Sequence, residues 1–159
     1  MSSYRRIRLP GATIFFTVHL ARRGDTLLTD QVDRLRLAVA RTRRERGFTI
    51  DAMVVLPDHL HCVWTLPEAD CDYATRWRLI KARFSRDLPA GSRRASHVNR
   101  GEKALWQRRY WEHHVRDDDE YAALLAYCRD DPVKHGLVAR PEDWPFSSVH
   151  RDRRVGLRP

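Results

Sequence analysis

Apolar and polar positions run along the chain in blocks whose period switches between two and about 3.6. Thr13 to Leu20 (TIFFTVHL) is β-branched and aromatic and reads as a strand. After a charged turn from Ala21 to Thr26, Thr29 or Asp30 can cap a helix. Its apolar positions Val32, Leu35, Leu37, Val39 and Ala40 keep roughly helical spacing through Arg46, and Gly47 stands where helices usually end. Phe48 to Leu56 predicts a second strand, Pro57-Asp58 a turn, and His59 to Leu66 the hairpin partner. Beyond a loop from Pro67 to Cys71, Asp72 or Thr75 opens a helix through Trp77, Leu79, Ile80 and Phe84 to about Leu88. Pro89 to Gly101 reads as an exposed basic loop and Leu105 to Val115 as the fourth strand. Asp117 to Glu120 puts negative charge at the start of a third helix, as the macrodipole favours, and Pro132 predicts its end. From Val133 a tail of turn residues leads to Trp144-Pro145-Phe146-Ser147-Ser148.

The order β-α-β-β-α-β plus one C-terminal helix predicts an α+β fold. It is a ferredoxin-like sandwich, a four-stranded antiparallel sheet with helices on one face. A length of 159 residues suits one domain, with residues 1–12 as a basic arm and 133–159 as a tail. No apolar run approaches the roughly 18–20 residues of a membrane span. The first residues lack the apolar core of a secretory signal. Three cysteines (Cys62, Cys71 and Cys128) without CxxC spacing indicate neither a disulfide framework nor a zinc knuckle. A reducing cytoplasm is therefore expected. Neither GxGxxG nor GKS/GKT occurs, which excludes the common phosphate loops.

Charge changes the picture. The net charge is +9, and its distribution is uneven: residues 1–75 carry +2, 76–116 carry +9 and 117–159 carry −2. Of 30 cations, 27 are Arg, whose planar fork suits phosphate oxygens, although a GC-rich genome also favours Arg codons. The clustering points to a polyanionic partner, nucleic acid or anionic membrane.

The sharpest local feature is Pro57-Asp58-His59-Leu60-His61. On a strand, residues i and i+2 share a face roughly 6.5–7 Å apart, so His59 and His61 can converge on one metal ion. They can equally be two solvated or hydrogen-bonded histidines at a hairpin edge. Tyr127 and Asp131 stand at i and i+4, neighbours on one helical face. Asp131 can complete a His-His-Asp set with open positions for water and a phosphate oxygen, with Tyr127 beside it as a nucleophile. The plainer alternative is a half-buried tyrosine and an Asp that ends the helix. Tyr110 has His113 and His114 nearby but only i+2 or i+4 shares its strand face. Tyr121 has Leu125 at i+4 and no ligand chemistry. Trp106, Tyr110 and Trp111 are expected to pack at a sheet edge.

At this point the residues resemble a known family. HxH on the third strand, followed by a Tyr-x-x-x-polar helix, resembles the single-tyrosine HUH transposases, and the wider text resembles their REP-associated branch. The matching stretches are Phe15 to Val18, Asp51 to His61, Arg76 to Arg86, Trp106 to His113 and Pro132 to Val138, nearly the whole chain in order. The resemblance implies a metal-dependent nuclease and strand transferase acting on single-stranded DNA that carries a REP-type hairpin. His59 and His61 match the family's metal-binding pair, and Tyr127, on a C-terminal catalytic helix, matches the nucleophile that forms a 5′-phosphotyrosine bond. The family's third ligand is usually Gln or Asn, where this chain has Asp131. Asp is competent for Mg²⁺ or Mn²⁺ but adds negative charge beside the phosphate. Relatives include monomers and swapped-tyrosine homodimers, and the implied setting is the nucleoid.

The cations assigned to DNA are Arg76, Arg78, Lys81, Arg83 and Arg86 on the second helix and Arg93, Arg94 and Arg100 in the loop after it. Such contacts give affinity and salt dependence, although part of this helix can be an ordinary solvated face. Sequence choice is assigned to the arm, Arg5, Arg6 and Arg8, and to unpaired bases beside the hairpin. Two other classes stay open: a non-catalytic hairpin-binding protein silenced at Asp131, and an RNA-binding module using its sheet aromatics.

Overall fold

The computed structural model describes residues 6–92 and 94–154. Strand β1 (Thr13–His19) leads through a one-turn helix α1 (Leu27–Asp30) into α2 (Val32–Glu45). The hairpin β2 (Thr49–Val55) and β3 (His59–Thr65) follows, then α3 (Tyr73–Ser85) and the short α4 (Ala95–Asn99). Strand β4 (Trp111–His114), helix α5 (Asp118–Lys134), a 3₁₀ turn (Pro141–Asp143) and α6 (Val149–Arg154) complete the order. The four strands form one sheet in the order β2-β3-β1-β4, every pair antiparallel. This is the ferredoxin-like arrangement expected from the sequence.

Strand alternation divides the core between two faces. Phe16 and Val18 of β1 and Leu60, Cys62 and Trp64 of β3 face α2 and α3, where they meet Leu35, Trp77, Ile80 and Phe84. Trp64 and Trp77 stack at 4.3 Å with planes 14° apart. Phe15, Val54 and Val63 face the other way, against α5 and Trp144. Helix α5 thus covers the sheet face opposite α2 and α3, and His59 and His61, in phase with Val63, point toward it.

Several boundaries differ from the sequence reading. The fourth strand is four residues long, because the chain from Leu105 to Tyr110 pairs with the sheet only through the Leu20–Trp106 bridge among the described residues. The first helix breaks at Gln31, so neither Thr29 nor Asp30 caps α2, and Leu37 lies on its solvent side, 72% exposed. The basic loop contains α4. Helix α5 does not stop before Pro132: it runs one turn further and closes on Gly136, whose φ is +68°. There the Leu137 N–H bonds the Pro132 carbonyl and the Gly136 N–H bonds the Val133 carbonyl, a Schellman closure that only a left-handed residue permits cheaply. Proline costs the helix one hydrogen bond in its last turn, which this closure offsets. The tail is not free either. Ser147 bridges Val54, Ser148 Oγ accepts from the Met53 N–H, and the Trp144 indole donates to the Val55 carbonyl, covering the edge of β2.

Candidate active site

The sheet face under α5 opens into a cleft of about 690 Å³. Its walls are Phe15, Thr17 and His19 of β1, Asp58, His59 and His61 at the start of β3, Trp111 of β4, and Leu124, Tyr127 and His135 of α5, with Arg23 at the mouth. His59 and His61 are 9% and 5% exposed. Each has its Nδ1 engaged by a polar neighbour in the cleft wall. His59 Nδ1 lies 2.6 Å from Asp58 Oδ1, and Asp58 is itself fixed by the Gly24 N–H at 2.8 Å. His61 Nδ1 lies 2.8 Å from Thr17 Oγ1. Holding both rings at Nδ1 leaves each Nε2 as the inward-facing atom, the usual tautomer control of a metal-binding imidazole.

Asp131 sits between them, its side chain 2% exposed. Its Oδ2 lies 3.4 Å from His61 Nε2 and 3.5 Å from His135 Nε2, yet it makes no hydrogen bond. One donor atom from each of His59, Asp131 and His135 falls within 4.8 Å of the others. Burial opposes ionisation of Asp131, but the surrounding imidazoles of His61, His135 and His59 outweigh it, and the carboxyl sits below its ordinary range. Burial pushes the His59 pKa below its ordinary value. A buried carboxylate oxygen facing imidazole nitrogens at 3.4 and 3.5 Å offers donors of the kind a divalent cation takes.

Tyr127 projects from the same helix one turn before Asp131 and is 36% exposed. Its ring stands edge-on to His61 at 5.2 Å and to Phe15 at 5.7 Å, while the Lys134 ammonium lies 4.4 Å from its centroid. Burial, then the charge of Asp131, raises its pKa above the ordinary phenol value, so the resting hydroxyl is protonated. Tyr110 is on the opposite side of the sheet, stacked near Phe16 and Trp77, and is not part of this cleft.

Trp111 corrects an expectation. Trp106 is buried against Phe84, and Tyr110 packs as anticipated, but Trp111 is 56% exposed at the cleft rim. It lies parallel to His113 (5.7 Å, 11°), which is held by Glu120 at 2.7 Å, and edge-on to Phe15.

The predicted DNA-binding cations separate into groups. Arg76 is 1% exposed and donates to the carbonyls of Arg46, Gly47 and Asp72 and to the Asp70 carboxylate, so it is a structural tie and not a DNA contact. Arg83, seven residues on and therefore on the same stripe, turns to Thr42 and Glu45 of α2. Arg78, Lys81 and Arg86 lie on the other stripe. With Arg6, Arg100, Lys103 and Arg108 they line a second groove of about 690 Å³, in which Glu102 is the one carboxylate among the described residues. Arg6 also lies over Tyr110 at 4.4 Å and pairs with Glu112. Lys81 donates to the Gln107 carbonyl, and burial lowers its pKa to about 8. Arg8 and Arg94 are exposed outside this groove, and Arg5 and Arg93 lie outside the described residues. Sequence reasoning did not single out His135, Arg23, Lys103 or Arg108. For His135 the signal was present as a second i+4 step from Tyr127 through Asp131, hidden by treating Pro132 as a stop.

Residues 13–131 match the family described as "Transposase IS200 like". The chain is 46% identical over 159 residues to the REP-associated tyrosine transposase of Escherichia coli K12, covering 100% of this chain and 89% of that one. It is 41% identical over 161 residues to a Haemophilus influenzae protein that carries the same name provisionally, covering 92% of it. A solved structure of a REP-associated tyrosine transposase bound to a REP hairpin superposes with a TM-score of 0.86 at 46% identity, covering 100% of this chain and 89% of that one. Among the described residues no helix is long and apolar enough to cross a membrane.

Proposed function

The chain belongs to the IS200-like transposase family, in its REP-associated tyrosine branch, and from that premise we propose that it nicks and rejoins single-stranded DNA beside a REP-type hairpin. In this reading Tyr127 is the nucleophile, and His59, His61 and Asp131 hold a divalent ion. The observation that carries it is the packing of the Tyr127 ring against His61, beside a buried Asp131 oxygen that lacks a hydrogen bond.

An Mg²⁺ or Mn²⁺ ion bound there supplies Lewis acidity, drawing charge off the phosphate under attack. Tyr127 keeps its proton until attack, which its raised pKa ensures at neutral pH. Its Oη then bonds to phosphorus as the bond from phosphorus to the 3′-oxygen breaks. The tyrosine is left on the 5′-phosphate, and the phenolic proton is balanced by the one the departing 3′-hydroxyl gains. A second 3′-hydroxyl attacking the same phosphorus reverses the step and restores the phenol, which is strand transfer. Arg23 at the cleft mouth provides positive charge for a phosphate, and the exposed Trp111 indole offers a face on which an unpaired base can stack.

The hairpin's duplex phosphates are assigned to the second groove, on the far side of the sheet, where Arg78, Arg86 and Arg100 are exposed. Asp131 fits the site despite replacing the usual amide, because a carboxylate oxygen is itself a ligand for Mg²⁺ or Mn²⁺ and its Oδ2 lies 3.4 Å from His61 Nε2. This favours an active enzyme over a silent binder. Incubating a 5′-labelled hairpin oligonucleotide with protein and Mn²⁺ tests the reading. The expected product carries a free 3′-hydroxyl that a polymerase extends, whereas a product ending in 3′-phosphate contradicts it.

A further inference from the structure

Asp131 lies in the last turn of α5 and His135 is the residue that caps its C-terminus, with Pro132 in the turn between them. The Schellman closure on Gly136 fixes where that turn ends and so sets the position of the His135 backbone. His135 Nε2 consequently stands 3.5 Å from Asp131 Oδ2, and its ring lies 5.1 Å from that of His59, at 63° to it. Asp131 Oδ2, buried and without a hydrogen bond, is thus faced by His61 Nε2 from the sheet and His135 Nε2 from the helix. Among the described residues the His135 imidazole pairs with no carboxylate besides Asp131, and its side chain, 47% exposed, is not held there by core packing.

We propose that His135 is a fourth protein ligand of the divalent ion, completing a set of three imidazoles and one carboxylate with His59, His61 and Asp131. The proposal rests on the metal reading above and deepens it. Three nitrogen donors and one oxygen make the site nitrogen-rich. Imidazole ligation suits transition metals, whereas Mg²⁺ prefers oxygen donors and retained waters, so the set selects Mn²⁺ over Mg²⁺. The added ligand also takes one of the positions that a three-ligand site leaves to water, and confines the phosphate oxygen to the remainder.

Mn²⁺ binding to the full chain without DNA tests this, measured by the loss of the free-ion EPR signal on titration and by pulsed EPR of nitrogen coupling in the bound state. His135→Ala should weaken Mn²⁺ binding by about ten- to hundredfold, the scale seen when support of a metal site is lost. The coupled imidazoles should fall from three to two. Circular dichroism verifies that this half-exposed position leaves the fold intact, and His135→Gln, which keeps the helix end and offers an oxygen, should narrow the preference for Mn²⁺ over Mg²⁺. Wild-type affinity and nitrogen coupling in His135→Ala would overturn the assignment while leaving the metal reading standing. Wild-type protein that binds no Mn²⁺ would overturn both.

Discussion

The ring of Tyr127 stands edge-on to that of His61, centroids 5.2 Å apart and planes at 81°. One comes from a helix, the other from the central region of the sheet, and Phe15 is packed against both. The tyrosine is therefore placed relative to the imidazole by aromatic packing as well as by its own helix. That placement allows the hydroxyl to be removed without disturbing either partner.

Tyr127→Phe keeps the ring and its contacts and deletes only the hydroxyl proposed to attack. Cleavage should fall to background while hairpin affinity, measured by gel retardation, stays within about twofold, a difference of under 0.5 kcal/mol. A Tyr127→Phe protein that still cleaves would move the nucleophile elsewhere.

His59→Ala combined with His61→Ala removes two of the proposed metal ligands from the cleft and none of the cations of the second groove. Nicking should be lost and hairpin retardation kept. Chelation of divalent ions by EDTA should reproduce the same split with wild-type protein. Undiminished nicking in either case contradicts the metal assignment.

Arg76 and Arg78 are two residues apart and should behave oppositely. Truncating buried Arg76 leaves three carbonyls and the Asp70 carboxylate without their donor, and should cost about 3–5 kcal/mol of stability in urea unfolding. Arg78→Ala should leave the unfolding midpoint unchanged. It should weaken DNA binding and reduce the slope of log affinity against log salt by about one.

A phosphate contact at Lys81 should give hairpin binding a pH dependence. Burial lowers its folded pKa to about 8 from an ordinary value of 10.5. Free protein therefore loses this charge as pH rises through 8, and a bound phosphate favours the charged form. Hairpin affinity should fall between pH 7 and 9, and Lys81→Arg, which cannot lose its charge, should flatten that limb. A wild-type affinity independent of pH over this window contradicts a phosphate contact at Lys81.

Much of the fold and part of the site are legible in the sequence because strand alternation and helical i+4 spacing are short-range rules. His59 and His61 follow from one rule, Tyr127 and Asp131 from the other. What escapes are the outcomes of long-range packing. Arg76 and Arg78 look alike in a run of cations, and only the position of α2 makes one a buried tie. Trp111 is expected from the sequence to pack at a sheet edge, yet strand phase turns it toward an open cleft. His135 lies beyond a proline, where a local rule ends the helix and a glycine closure extends it.

The central claim is a covalent bond between Tyr127 and DNA. A REP-type hairpin oligonucleotide labelled at its 3′ end, incubated with protein and Mn²⁺ and resolved on a denaturing gel, tests it directly. A labelled, detergent-resistant adduct is expected with wild-type protein, absent with Tyr127→Phe and absent without divalent ion. Cleavage that proceeds with no adduct at any time, or an adduct that persists in Tyr127→Phe, would contradict it.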